Sequence, residues 1–350
     1  MPVHLVGSLP HPLCDDPATA MGWFLRHRGD APFTALPFDR DPRWIVDWLT
    51  HHMSSLPALE QVRGGESRGY DDMPYYRVRP GERLCPEDVG LARVEQAEAA
   101  FAALKTLPVT ENGEPGGEEP LRVQVGIPNA LDLAVFAFGS IEAAREWMPT
   151  MQAAVRHEVT QLVDRWGDRL QLQLETPAVL VAYHLTPPPA WSMLTADLTR
   201  QVAGVLAAAP RTRWVLHLCY GDLAHVPVFT PNDLRPSVRF LNALADVLSD
   251  QDIPMPTVHL PVTSGDTAPP TDPAFYEELR HLRGGVEVIA GVVAEEYPEE
   301  TREALRLFVD ALGAPPAGVA AACGYGRRTE GAAAANLDLA SRLAQEWSVR

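Results

Sequence analysis

The stretch TADLTRQVAGVLAAAPRTRWVLHLC, residues 195–219, carries the repeating unit of the fold. Its first part, Thr195–Ala208, has helical periodicity, and Trp214–Cys219 is a short apolar run of strand type. The same alternation extends in both directions. Strand-like runs fall at Val3–Gly7, Phe33–Pro37, Leu121–Ile127, Leu170–Glu175, Trp214–Cys219, Thr257–Pro261, Val286–Val292 and Gly318–Cys323. Between them, helical patterns cover Ile141–Trp166, Thr195–Ala208, Ser237–Leu248, Glu299–Leu312 and Gly331–Trp347. Eight strand-then-helix steps predict an α/β fold, a (β/α)8 TIM-type barrel. An open doubly wound sheet is the alternative, but no GxGxxG follows the first strand.

The spacing is uneven in one place. More than eighty residues separate the second and third strands, and RGGESRGYDDMPYYRVRPGERLCP within them is polar, spotted with aromatics and rich in Gly and Pro. We read residues 1–350 as a single barrel domain with an elaborated excursion over approximately 56–120. Thr110–Pro120, TENGEPGGEEP, reads as an acidic, turn-rich surface loop.

Composition narrows the function. At 46% apolar and 21% charged, the chain has material for a large core. Its 29 basic and 46 acidic residues give a formal charge of −17. That balance argues against nucleic acid and anionic membranes as partners. No run approaches the roughly 18 apolar residues a membrane span needs, and the N-terminus lacks the pattern of a signal peptide. Four cysteines, at 14, 85, 219 and 323, are too sparse for a secreted disulfide scaffold. A reducing cytoplasmic setting is the expectation, and there thiols stay free for metal, catalysis or packing.

Chemistry concentrates late in the chain. Trp214-Val-Leu-His217-Leu-Cys219-Tyr220-Gly221-Asp222 reads as a strand running into a turn, and residues two apart on a strand share a face. The last strand ends in Cys323-Gly324-Tyr325-Gly326-Arg327-Arg328. Catalytic groups of β/α barrels gather at the C-terminal ends of strands. One imidazole and two thiolates meeting there form a zinc-type set with an open position, where a substrate thiol would lose its proton. The other reading of the same residues is a packed histidine and inert buried cysteines.

HLCYGD, followed about a hundred residues later by CGYGRRTEGAAAANLDLA, resembles the catalytic barrel of cobalamin-independent methionine synthase, within the methionine-synthase/uroporphyrinogen-decarboxylase-like superfamily. The resemblance implies zinc held by His217, Cys219 and Cys323. VGSLP is similar to a segment lining the amino-acid thiol pocket, which makes Ser8 a candidate. Gln173-Leu-Glu175-Thr-Pro-Ala178 is similar to a strand end whose carboxylate holds the substrate amino group, so the resemblance gives that role to Glu175. From their own chemistry, Arg327 and Arg328 are candidates either to grip a substrate carboxylate or to cap surface charge near the last helix.

This chain also departs from the family pattern. The family's fourth ligand, a Glu ending the sixth strand, has no counterpart in Thr257-Val-His259-Leu-Pro261-Val. His259 is either its substitute or a strand-end histidine holding no metal. The family's catalytic His after the seventh strand is absent from Gly291-Val-Val-Ala-Glu295-Glu296-Tyr297. Glu295 and Glu296 are then the candidates to supply a proton, although adjacent acids opening a helix also complement its dipole. Phe38-Asp-Arg-Asp-Pro-Arg-Trp44 is either pocket lining or a salt-bridged helix start, and Asp222 either orients a ligand or forms a turn.

The expected activity is a zinc-dependent methyl- or alkyltransferase acting on a small thiol, with an alkyl donor as the other partner. A C–S lyase or an epoxide-opening thiol transferase on the same metal is the second reading. A metal-free decarboxylase-like or acid-binding barrel is the third.

Overall fold

In LQLQLE, residues 170–175, leucines alternate with polar residues, a period that on a half-exposed strand would put the polar set in water. All six residues are instead buried. The leucine face packs in the hydrophobic core. The polar face meets groups from across the sheet: the Gln173 side-chain amide donates to the Val6 carbonyl at 2.6 Å and its oxygen lies 3.0 Å from His4 Nε2. Gln171 donates to Gln124 at 2.7 Å. These polar side chains fill the inside of a curled sheet, each satisfied by another.

The structure is a computed structural model that describes residues 1–107, 121–265 and 267–348. The proposed loop Thr110–Pro120 therefore lies outside the described residues. Strands are β1 Leu36–Pro37, β2 Leu59–Arg63, β3 Tyr75–Val78, β4 Val123–Pro128, β5 Leu170–Glu175, β6 Arg213–His217, β7 Thr257–Pro261, β8 Val288–Val293 and β9 Gly318–Ala321. Helices are α1 Pro17–His27, α2 Pro86–Val89, α3 Arg93–Leu104, α4 Ala130–Phe138, α5 Ile141–Trp166, α6 Pro177–Leu185, α7 Trp191–Leu206, α8 Arg235–Asp250, α9 Pro273–Tyr276, α10 Pro298–Leu312 and α11 Glu330–Ser348. Among the described residues, no helix is long and apolar enough to cross a membrane.

Strands β1, β4, β5, β6, β7, β8 and β9 pair in that order, all in parallel. Val3 bridges Phe33 on one side and Val319 on the other. The Val3 N–H donates to Pro32 at 2.8 Å and the His4 N–H to Val319 at 2.9 Å. The first strand-like run is thus reduced to a short bridge, yet it joins the two edges of the curled sheet. Between β1 and β4 the chain makes the antiparallel pair β2–β3 and the helices α2 and α3.

Two expected strands stop short of the C-terminal ends of their sequence runs. β6 stops at His217, two residues before Cys219, and β9 stops at Ala321, two before Cys323. Each chain leaves the ladder there to reach the rim. Gly221, at φ +80°, turns the chain after Cys219 in a conformation that favours glycine.

Candidate metal centre

The two departures from the ladder converge. Cys219 and Cys323 bring their sulfurs to 3.9 Å, and a ring nitrogen of His217 lies within 4.8 Å of both. Both cysteines are free, and the gap is almost twice the ~2.0 Å of a disulfide. Two thiolates at about 2.3 Å from one tetrahedral zinc would sit about 3.8 Å apart. The sulfur spacing and the nitrogen-plus-two-sulfur chemistry fit zinc.

His259 fixes which nitrogen His217 offers. The two residues are paired across β6 and β7, with rings stacked at 4.8 Å between centroids. His259 Nε2 lies 3.0 Å from the Ala321 carbonyl, which can only accept. Burial, with His217 and His4 beside it, holds the His259 pKa well below the ordinary value, so the ring is neutral. Its proton is therefore on Nε2 and its Nδ1 is an acceptor. His217 Nδ1, 2.6 Å away, must be the donor, which leaves the lone pair of His217 on Nε2, free for a metal. Both nitrogens of His259 are thus committed to other partners, and the ring stands outside the group of three. In this geometry it supports the His217 ring, and of its two readings, substitute ligand or strand-end histidine, the contacts favour the second.

The sulfurs divide one proton unequally. Their mutual hydrogen bond, with His217 and Arg327 nearby, holds Cys323 well below the usual thiol range. The same bond and burial hold Cys219 above it. Cys323 is the more readily ionised thiol of the two.

These residues open onto a cavity of about 680 Å³. Glu175, at the end of β5, accepts from Trp44 Nε1 at 2.5 Å and from the Gln173 amide at 3.1 Å. Asp39 accepts the Ser8 N–H at 2.8 Å. The two carboxylates flank Gly126, where an added Cβ would lie 2.8 Å from Glu175 Oε1 and 3.3 Å from Asp39 Oδ1. Burial first, and then the neighbouring Asp39, push the Glu175 pKa up to about 7. Such a pair of buried carboxylates is suited to an ammonium group.

Ser8 and Arg327 also line the cavity. The Ser8 hydroxyl accepts the Gly326 N–H at 3.3 Å and so joins the N-terminal segment to the Cys323 loop. Arg327 lies 3.7 Å from Asp222, and its Nε has no hydrogen-bond partner. Asp222 is buried between Arg327 and His225 and lines the cavity. The Phe38–Trp44 segment contributes Asp39, Asp41, Arg43 and Trp44 to the wall, and it also opens the next helix: Asp41 accepts the Arg43 and Asp47 N–H groups at 2.7 Å and Arg43 lies 3.5 Å from Asp47, so both readings are present.

Glu295 and Glu296 do not line this cavity. Glu295 is tied into a buried ion pair with Arg328 at 2.9 Å and accepts from Asn336 at 2.7 Å, and Glu296 is exposed. Glu295 thus anchors the loop after Cys323, apart from the cavity where a proton donor was expected.

Among the lining residues that the sequence reading missed are Tyr70, Arg93 and Asp132. Tyr70, from the segment between β1 and β4, accepts the Leu223 N–H at 3.0 Å. Arg93 lies near Asp39 and Glu175. Asp132, fully buried in α4, accepts the Ala178 N–H at 2.7 Å with one oxygen and has no hydrogen bond to the other. Burial holds its carboxyl well above the usual range. An aspartate inside an apolar run such as ALDLAVFAF was the one available hint. A second group, His11, Cys14 and Asp15, is also close-set, but two of its members are exposed and hydrogen-bonded to each other.

No family model and no curated protein matches this sequence. Among solved structures, the chain is similar to a B12-independent methionine synthase from Shewanella sp. W3-18-1, determined in complex with selenomethionine. The TM-score is 0.62 at 14% identity, covering 99% of this chain and 98% of that one. At that identity the likeness establishes architecture: from end to end, this chain is a divergent counterpart, in fold, of a cobalamin-independent methionine synthase.

Proposed function

We propose that this chain is a zinc-dependent methyl- or alkyltransferase that acts on a small thiol, working as a single barrel in a reducing cytoplasm. The observation that carries the reading is the convergence of His217, Cys219 and Cys323, with His217 held in the tautomer that presents Nε2. Zinc, when bound by these three, supplies the Lewis acidity that keeps a substrate thiol deprotonated at neutral pH.

The remaining roles belong to the chain. Glu175 and Asp39 would hold an amino group on the thiol substrate, with Trp44 and Gln173 fixing the Glu175 carboxylate. Arg327 would take a carboxylate, its Nε being without another partner. Sulfur forms a new S–C bond as the donor's C–X bond breaks, and the electron pair leaves on X. Asp132, whose carboxyl burial holds well above the usual range, is an acid on the cavity wall that would return a proton to X.

The test is metal content with X-ray absorption. Purified protein should hold about one zinc per chain, lost in Cys219→Ser and Cys323→Ser. Adding homocysteine, or failing that coenzyme M or cysteine, should bring one further sulfur to about 2.3 Å and release about one proton per thiol bound. A metal-free wild type, or a metal that no thiol of the panel reaches, would remove the reading.

A further inference from the structure

The cavity has two chemically different ends. Ionisable groups crowd the thiol pair, whereas the wall built by α4–α7 is mainly aliphatic and aromatic, with Val135, Phe136, Ile141, Met148, Leu185 and Leu194 set among only four polar residues, Asp132, Arg145, Asp197 and Gln201. Trp44 is the joint, its Nε1 on Glu175 and its ring edge-on to Phe136 at 5.6 Å. The apolar wall continues to the surface. Among the described residues six large hydrophobic side chains are exposed, and three of them, Ile141 at 58%, Leu185 at 67% and Val228 at 39%, line this one cavity. Single exposed apolar residues are ordinary, but their convergence on one mouth marks a binding surface.

Charge excludes the opposite class of ligand. Arg43 lies 3.5 Å from Asp47, Arg327 lies 3.7 Å from Asp222, and Arg93 is near Asp39 and Glu175. Arg145, exposed, is the remaining arginine of the lining. With a formal charge of −17 around it, the cavity is built to repel a polyanion.

We propose that the second substrate, the donor of the transferred group, has an apolar alkyl or aryl body with at most one negative charge, seated along α4–α7. Its reacting carbon points toward Cys219 and Cys323. The identity of the reaction rests on the thiol-alkylation reading, but the class of ligand rests on the wall alone. A volume of about 680 Å³ falls within the roughly 300–1,000 Å³ of small-molecule sites, leaving room for such a body beside a small thiol.

The test is calorimetry on the zinc-loaded full chain, without thiol, using the straight-chain alcohols from butanol to octanol. Affinity should rise by up to about fourfold per methylene while the wall is being covered. The double variant Ile141→Glu and Leu185→Glu changes two exposed positions, so folding should persist, checked by its thermal melt. It should weaken octanol at least tenfold, and octanol more than butanol. Pteroyl-triglutamate, as the polyanionic probe, should bind more weakly than octanol. Affinity that does not change with chain length, a double variant equal to wild type, or tighter binding of the polyanion would each overturn the proposal. A chain-length series without any thiol reaching the metal would support this wall and sink the thiol reading; thiol ligation with a flat series would do the reverse.

Discussion

At the scale of single residues, the centre depends on a histidine that holds no metal in this reading. His259 sets the His217 tautomer through one 2.6 Å contact and is itself set by the Ala321 carbonyl. Supporting groups of this kind change metal affinity about 10–100-fold. His259→Ala should therefore weaken zinc by that factor, read by competition with a chelating dye. Unchanged affinity in a folded variant would leave His259 a packing residue. Glu175 makes a second prediction, through pH. Its pKa is raised from 4.5 to about 7 on folding, so between those values the folded chain holds a proton that the unfolded chain has released. The contribution to stability is present below pH 4.5 and is lost as pH rises through 7, a change on the order of 3 kcal/mol. Denaturant titrations should show wild type losing stability relative to Glu175→Gln across that window. A pH-independent difference would mean that the carboxyl is already ionised when buried.

At the scale of elements, the ends of β1 and β5 place the carboxylates Asp39 and Glu175, and Gly126 on β4 makes the space for them. A Cβ at Gly126 would crowd the far end of the Glu175 side chain rather than backbone. Gly126→Ala should therefore fold, with both carboxylates displaced. Since a misplacement of about 1 Å can cost roughly 100-fold, binding of amino-bearing thiols should fall by tenfold or more. Thiols without an amino group should be unaffected, and equal loss for both kinds would mean that the substitution disturbs the whole rim. The elements were unequally legible. Helix α5 matches its sequence pattern end to end, and α8, α10 and α11 match within two residues, because each has one buried and one exposed face. α4 and α6 are short and largely apolar, so they carried no such stripe. The pair β2–β3 sits among Gly and Pro residues that read as loop.

At the scale of the whole molecule, the proposed zinc ties the end of β6 to the end of β9, joining chain segments about a hundred residues apart. A ligand that binds only the folded state at about 100 times its Kd contributes about 2.7 kcal/mol. For 350 residues that corresponds to a Tm shift of about 4 °C. Stripping the metal with a chelator should lower the melt by this amount, and readdition of zinc should restore it. In Cys219→Ser the chelator should have no effect. A wild-type melt indifferent to chelation would argue that the three residues do not hold a metal in solution.

The alternation of the main strands and helices, and the candidate status of His217, Cys219 and Cys323, were determined by the sequence alone, because strand and helix periodicities and ligand chemistry are local properties. HLC and CGYGRR stood out through their resemblance to a family's metal motifs, while residue type and spacing alone left a packed histidine and inert cysteines as the other reading. What only the tertiary structure decided is how distant groups meet. Whether His259 binds or orients depended on the carbonyl of Ala321 on another strand. Whether Glu295 was a free acid depended on Arg328, thirty-three positions away. Arg93, Asp132 and Tyr70 reach the cavity from elements with no motif of their own. A hydrogen bond or ion pair is fixed by separations of about 3 Å in space, and those separations leave no mark on the spacing of residues along a chain.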